Sequence, residues 1–274
     1  MPVQGDRRGP GGPPYMSKER GRFDSWRIWA IAFGWLAVFV STAIAARKVE
    51  HFVSTDPQFT FSNQRRDAVA IAGVKYSSRW GIARVFAPDN GRSIYLMPLA
   101  ERRRRLLAID WIADASVSRL WSNRVLVRIT ERKPVAFVNL PLAENAHASR
   151  LALIDAEGVF LATPPSARFT FPILEGVTDR QREPERRLHV AAMQRLLEEL
   201  GPLAKDVSEI NAANTEDMRV VAQVDGRAME LELGDGGFAK RFQHFVTHYP
   251  EIKRRAPRAT SFDLRLENNI ITKE

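Results

Sequence analysis

The chain has 274 residues, a formal net charge of +9 and no cysteine. The missing thiols exclude a disulfide framework, thiolate catalysis and cysteine-based zinc sites. The basic excess suits nucleic acid, anionic lipid headgroups or an acidic protein.

Residues 1–27 are rich in Gly, Pro and Arg, as in GDRRGPGGPPY. Such a segment buries too little apolar area to offset its ordering entropy, so a disordered tail is expected. Residues 28–46, IWAIAFGWLAVFVSTAIAA, carry no charge over 19 positions. As a helix this run reaches about 28 Å, close to the roughly 30 Å hydrocarbon core of a bilayer. Trp26 and Trp29 stand where an interfacial aromatic belt would lie. Arg7, Arg8, Lys18, Arg20, Arg22 and Arg27 precede the run, and only Arg47 and Lys48 follow it closely. Basic flanks stay in the cytoplasm, so the tail reads as cytoplasmic and the bulk of the chain as exported. A cleaved signal peptide is the alternative, since Ala43-Ile44-Ala45 has the small-x-small pattern, but the apolar run is longer than such peptides use. A buried helix of a cytoplasmic protein is a second alternative. Export removes nucleic acid as the natural partner and leaves lipid or protein. It also suits a chain without free thiols.

Residues 47–56 read as a short juxtamembrane connector. From 57 to 133 the pattern is strand, helix, helix, strand, strand. Phe59-Thr60-Phe61 and Val69-Ala70-Ile71 are strand-like, and Gly73 closes the second. A short helix is expected over 79–86 and a turn at Pro88-Asp89-Asn90-Gly91. Pro98 opens a helix in which Leu99, Leu106 and Leu107 share a face, while Arg102 to Arg105 form a solvated side. Ala115 and Val117 oppose Asp114, Ser116 and Ser118. Val125, Val127 and Ile129 alternate along a last strand. Two helices on a small three-stranded sheet make one α+β layer pair.

From 134 to 274 hairpins dominate. Residues 151–154 and 159–161 flank Asp155-Ala156-Glu157-Gly158, and residues 219–224 and 228–233 flank Asp225-Gly226. Phe171 to Gly176 reads as an edge-like piece because of Pro172. A helix over 185–200 repeats Leu188, Ala192, Leu196 and Leu200. A second carries Phe238, Phe242, Phe245 and Tyr249 on one face. Residues 261–266 and 270–272 flank Asn268-Asn269 as a terminal pair of strand segments.

Nothing in the chain commits to catalysis, a cofactor or a metal. His244 and His248 stand four apart, without the following Glu or a third ligand of a zinc helix, and read as surface histidines. Asp155 and Glu157 lie two apart in a tight turn, where they read as solvated carboxylates rather than a glycosidase pair.

These motifs, in order, resemble the FtsQ/DivIB cell-division proteins. Trp111-Ile112-Ala113-Asp114-Ala115 is similar to the family's strand entry, and Val117-Ser118-Arg119-Leu120-Trp121 to its V-x-R-x-W segment. Thr130-Glu131-Arg132-Lys133-Pro134-Val135-Ala136 looks like the E-R-x-P-V-A signature. Asp155-Ala156-Glu157-Gly158, Pro172-Ile173-Leu174-Glu175-Gly176 and Asp263-Leu264-Arg265 resemble its later motifs. Ser122 replaces a usual proline and Leu266 a common aromatic. The resemblance implies an α+β chain: a single transmembrane helix, a POTRA domain (β-α-α-β-β) over 57–133 and a mixed β-domain of hairpins with two helices over 134–274.

It further implies a non-enzymatic divisome scaffold in the bacterial inner membrane, enriched at the septum. FtsB/FtsL-type proteins would be its partners, and through them the septal peptidoglycan synthases. The FtsB-type segment would add as a strand to an edge formed by 261–272. Carried over by position, Arg265, Leu266, Asn268 and Ile270 are the contact candidates, and Glu131 and Arg132 lie at the joint between the two domains. The alternatives are another membrane-anchored POTRA protein that docks exported chains, or a cell-wall hydrolase with a POTRA-like domain.

Overall fold

The computed structural model describes residues 25–142, 145–165, 167–266 and 269–273. It divides into two units, 1–56 and 57–274. Most of the expected tail, residues 1–24, lies outside the described residues.

In the first unit, helix α1 runs Ser25–Thr55 over 31 residues, about 46 Å. It is the one helix, among the described residues, long and apolar enough to cross a membrane. Trp29, Trp35 and Phe39 are exposed on it, as expected of a helix whose apolar groups meet lipid rather than a protein core. The helix continues through 47–55, where the sequence suggested only a connector. Pro57 disfavours helical backbone at Asp56 and so stops it.

The second unit holds two sheets. The first has strands β1 (Val69–Ala72), β2 (Ile112–Leu120) and β3 (Arg124–Glu131) in the order β1-β3-β2, with β1 parallel to β3 and β2 antiparallel to it. Between β1 and β2 lie helices α2 (Arg79–Arg84) and α3 (Leu99–Leu107). Val125, Val127 and Ile129 are buried on one face with Ile82 of α2 and Leu106 of α3, as the alternation requires. Gly73 ends β1 at φ +82°, where a Cβ would meet the Ile129 carbonyl oxygen at 2.1 Å, so no other residue fits.

Two readings change here. Phe59-Thr60-Phe61 is a 3-10 turn followed by a single bridge, Thr60 to Ser93, because only 91–93 is available to pair with it. Pro88-Asp89-Asn90-Gly91 is the expected turn, but Asp89 is wholly buried. Its partner is Arg102, which belongs to the supposedly solvated face of α3 and is also buried. The guanidinium donates through Nε at 2.6 Å and Nη2 at 2.9 Å. A buried carboxylate needs such a bidentate donor, and one arginine of the run supplies it.

The second sheet has nine strands: β4 (Pro134–Leu142), β5 (Asn145–Asp155), β6 (Phe160–Leu161), β7 (Ile173–Glu175), β8 (Val207–Asn211), β9 (Met218–Val224), β10 (Arg227–Gly234), β11 (Ser261–Asp263) and β12 (Ile271–Lys273). Their order is β12-β11-β10-β9-β8-β7-β4-β5-β6. Helices α4 (Glu183–Leu200) and α5 (Phe238–Arg255) pack on it. Hairpins supply most pairings, but β4 with β7, β7 with β8 and β10 with β11 are parallel. The β9–β10 turn has Asp225 at φ 51° and Gly226 at φ 73°, the double positive φ of a type I′ hairpin.

Strand β7 is interior, not an edge. Pro172 stands just before it and contributes only its carbonyl, which accepts from the Phe137 N–H at 2.9 Å, so the missing donor costs no ladder bond. On α4 the buried residues are Arg186, Val190, Met193, Leu196 and Leu200, whereas Leu188 is exposed. On α5 Phe238, Phe242, Phe245 and Tyr249 are buried as expected. They meet the sheet through Phe262 of β11, whose ring centroid lies 4.9 Å from that of Phe245.

Candidate functional site

The sheet's outer strands decide what can dock. Strand β11 pairs in parallel with β10, Glu230 opposite Ser261 and Glu232 opposite Asp263. The Glu230 N–H donates to the Thr260 carbonyl at 2.8 Å and the Leu264 N–H to the Glu232 carbonyl at 3.0 Å. Even-numbered residues of β11 therefore face β10, and Ser261 and Asp263 face β12. Strand β12 is antiparallel, with Ser261 opposite Lys273 and Asp263 opposite Ile271. Ile271 and Lys273 thus turn their backbone groups inward, and Thr272 turns its N–H and C=O to the open side.

The expected single edge over 261–272 is thereby divided. Strand β11 has neighbours on both sides, and β12 alone forms this edge. Arg265 and Leu266 lie in the connection between them. Arg265 is engaged within the chain: Nε and Nη2 donate to the Asp263 carboxylate at 2.9 and 2.6 Å, and Nη1 donates to Asp217 at 3.3 Å. Leu266 is exposed. Asn268 lies outside the described residues. Ile270 is half-buried and packs against the main core.

Glu232, which sequence reasoning missed, holds this corner together. It is a buried charge on β10, met by Lys273 Nζ at 2.7 Å and by Arg219 and Arg265, each at 3.3 Å. Lys273 reaches past β11 to make this bond, so the edge strand is tied to the second strand inward. The Arg265 guanidinium beside Asp263 holds that carboxyl at about 2, well below its ordinary value of 3.8. No local signal marks Glu232: in Met229-Glu230-Leu231-Glu232-Leu233 it alternates in phase with the exposed Glu230, and its burial depends on Arg219, Arg265 and Lys273 from other segments.

In-register neighbours share a face of a sheet. Val220, Leu231, Phe262 and Thr272 therefore lie on the α5 side, and the first three are buried there. Beyond Thr272 that side opens into a concavity of about 230 Å³ lined by Ile270 and by His244, His248, Glu251, Ile252 and Arg255 of α5. His248 is exposed and His244 half-buried, and His248 Nδ1 lies 2.8 Å from the His244 carbonyl. Among the described residues no group of three or more His, Asp or Glu could hold a metal.

Arg132 bonds across the two sheets, and Glu131 holds residues 75–77, whose Tyr76 packs on Phe169, on the first sheet's side. Glu131 accepts from three consecutive backbone N–H groups, Lys75 at 3.1 Å, Tyr76 at 3.0 Å and Ser77 at 2.6 Å. Burial pushes its carboxyl up, and these bonds, Ser77's first, outweigh that and leave it below the ordinary value. The Arg132 N–H donates to the Trp111 carbonyl at 2.9 Å, and its Nη1 donates to Asp155 Oδ2 at 2.8 Å. Asp155 is buried, not solvated. Its other oxygen accepts from the Glu157 and Val159 N–H groups, closing its own turn. Trp111 packs with Leu153 and Leu161, against Tyr76, Phe137, Phe169 and Phe171, and its Nε1–H donates to the Ala162 carbonyl at 2.9 Å.

The family model described as POTRA domain, FtsQ-type, matches residues 66–132. That range is the three-stranded sheet with its two helices. The chain carries a POTRA domain of FtsQ type and is similar to cell division proteins named FtsQ. It is 32% identical over 217 residues to the cell division protein FtsQ of Koribacter versatilis, covering 77% of this chain and 60% of that one. The protein of the same name from Myxococcus fulvus is 25% identical over 209 residues, 73% of this chain and 68% of its own. That of Streptomyces bingchenggensis is 41% identical over 78 residues, 28% of this chain and 27% of its own. The chain thus spans about 60% of the length of the Koribacter relative.

Proposed function

We propose that this FtsQ-like chain is a non-enzymatic scaffold of bacterial cell division that binds an FtsB/FtsL-type partner by strand addition at β12. The inner membrane holds it through α1, with the basic N-terminal side in the cytoplasm. Residues 57–133 act as the POTRA domain and 134–274 as the β-domain, both in the periplasm and gathered at the septum. Septal peptidoglycan synthases are reached through the partner.

The observation that carries the reading is the outward Thr272 backbone beside the α5 concavity. An extended segment pairing with β12 gains main-chain bonds from Thr272, and every second side chain of that segment enters the concavity against Ile270 and Ile252. Main-chain pairing supplies affinity and the concavity selects the partner. Leu266 and Arg265 stand beside the same edge and contact the partner's flanking residues; Asn268, outside the described residues, is assigned the same role by sequence position. Glu131 and Arg132 fix the joint, so a load taken at β12 passes to the POTRA domain through packed groups.

Thr272→Pro removes one outward donor and no ladder bond. The expected result is a loss of at least about tenfold in affinity for the soluble domain of the FtsB-type partner, the equivalent of about 1.4 kcal/mol, with the circular dichroism spectrum unchanged. Unchanged affinity in a folded Thr272→Pro protein contradicts strand addition.

A further inference from the structure

We propose that the POTRA domain carries a lipid-facing patch, built around Trp121 and Trp80, that binds anionic headgroups of the bilayer crossed by α1. In a soluble domain of this size, large side chains this exposed are unusual: Trp121 is 72% exposed, Trp80 69% and Leu96 62%. None is needed by the core, the joint or the β12 edge.

The patch has two adjoining parts. In one, the Phe59 ring is buried and presents edge-to-face contacts to Tyr95 at 5.3 Å and Trp121 at 5.4 Å, so these two rings stand on a fixed base, with Leu96 next to Tyr95. In the other, an open concavity of about 500 Å³ is lined by Trp80 with Arg65, Arg66 and Arg84. Arg65 joins the parts. It lines the concavity and donates from Nη1 to Asn123, two residues past Trp121, at 3.2 Å. Asp67 pairs with Arg65 at 3.0 Å and offsets one charge, leaving Arg66 and Arg84 in excess, the latter 5.0 Å over the Trp80 ring.

Indole and phenol rings with an aliphatic tip and arginines between them are the composition of a membrane interface. Guanidinium groups recognise phosphate oxygens by paired N–H donation, and the concavity is large enough for a headgroup. Connectivity favours lipid over an acidic protein. Only residues 56–58 separate Thr55, the last residue of α1, from Phe59. A bilayer holding α1 is therefore presented to Phe59 and its two ring neighbours at high effective concentration.

The chain has no cysteine, so single labels are specific. Full-length protein carrying a nitroxide at Leu96→Cys, or at the exposed Leu188→Cys of α4, is reconstituted into vesicles of phosphatidylcholine alone or with phosphatidylglycerol. Accessibility to oxygen and to a water-soluble nickel complex is then read for each label. The expected result is that phosphatidylglycerol shifts the label at 96 toward oxygen and away from nickel, while the label at 188 stays aqueous. Arg66→Glu with Arg84→Glu, both surface changes, returns the label at 96 to the aqueous value with circular dichroism unchanged. A label at 96 as aqueous as that at 188 in anionic vesicles overturns the proposal. So does shielding that ignores both phosphatidylglycerol and the Arg66/Arg84 reversal. Salt-sensitive capture of polyglutamate by a patch that stays aqueous on vesicles overturns it in favour of an acidic protein.

Discussion

The nine-stranded sheet has two ends of almost equal brevity, β6 with two residues and β12 with three, and they are treated oppositely. At the β6 end Leu161 is buried under Trp111 and the next carbonyl, that of Ala162, is taken by the indole N–H. The residue just before β2 of the POTRA domain closes that end with its side chain. At the β12 end all three residues are exposed, and a long-range bond from Lys273 to Glu232 ties the strand across the sheet. Exposed edges invite pairing, and the proposed partner strand is assigned to the end left bare rather than to the end closed by an aromatic cluster.

Changes at the two ends should separate stability from binding. The largest expected effect is at the closed end. Trp111→Ala removes a buried indole and orphans the Ala162 carbonyl, and should cost about 3–5 kcal/mol in denaturant unfolding. Partner affinity of the fraction that remains folded should be unchanged.

Next comes pH at the open end. Asp263 has a folded pKa of about 2 against 3.8 unfolded, so its contribution is present above about 4 and is lost as pH falls toward 2. The loss amounts to roughly 2 kcal/mol. Asp263→Asn should flatten that part of the acid stability curve, measured by unfolding at stepped pH. Lys273→Met should cost less, about 1 kcal/mol, because Arg219 and Arg265 still meet Glu232 and the lysine is partly screened by water. It should weaken partner binding by loosening the edge. Smallest is the stability effect of Thr272→Pro, within about 0.5 kcal/mol, since its N–H faces outward.

Much of this architecture was legible in the residues. The alternation of Val125, Val127 and Ile129, the aromatic stripe on α5 and the Asp225-Gly226 turn each express a local rule that tertiary packing leaves intact. The failures have a common cause. Within the arginine run of 102–105, nothing local says which guanidinium faces inward, because the answer depends on Asp89 thirteen residues earlier. Asp155 reads as a solvated turn residue until Arg132 is brought to it from another strand. Leu188, Ala192, Leu196 and Leu200 repeat every four residues, which drifts about 40° per step on a helix of 3.6 residues per turn. The observed 186, 190, 193, 196 and 200 are spaced four, three, three and four apart and hold one face.

At the proposed docking site, sequence likeness named the stretch 261–272 as one edge and did not reveal its division into an interior β11 and an edge β12. Three-residue strands carry too little pattern for that, and only the bonds to Thr260 and from Leu264 assign the parity.

The central claim is that a partner strand pairs with the open side of β12, and amide hydrogen exchange read residue by residue tests it most directly. In the free protein the Ile271 and Lys273 amides should be protected relative to Thr272. Adding the soluble FtsB-type partner should slow Thr272 by tenfold or more, leaving Ser261 and Asp263 as they were. A Thr272 amide that exchanges at the same rate in the saturated complex would contradict the account.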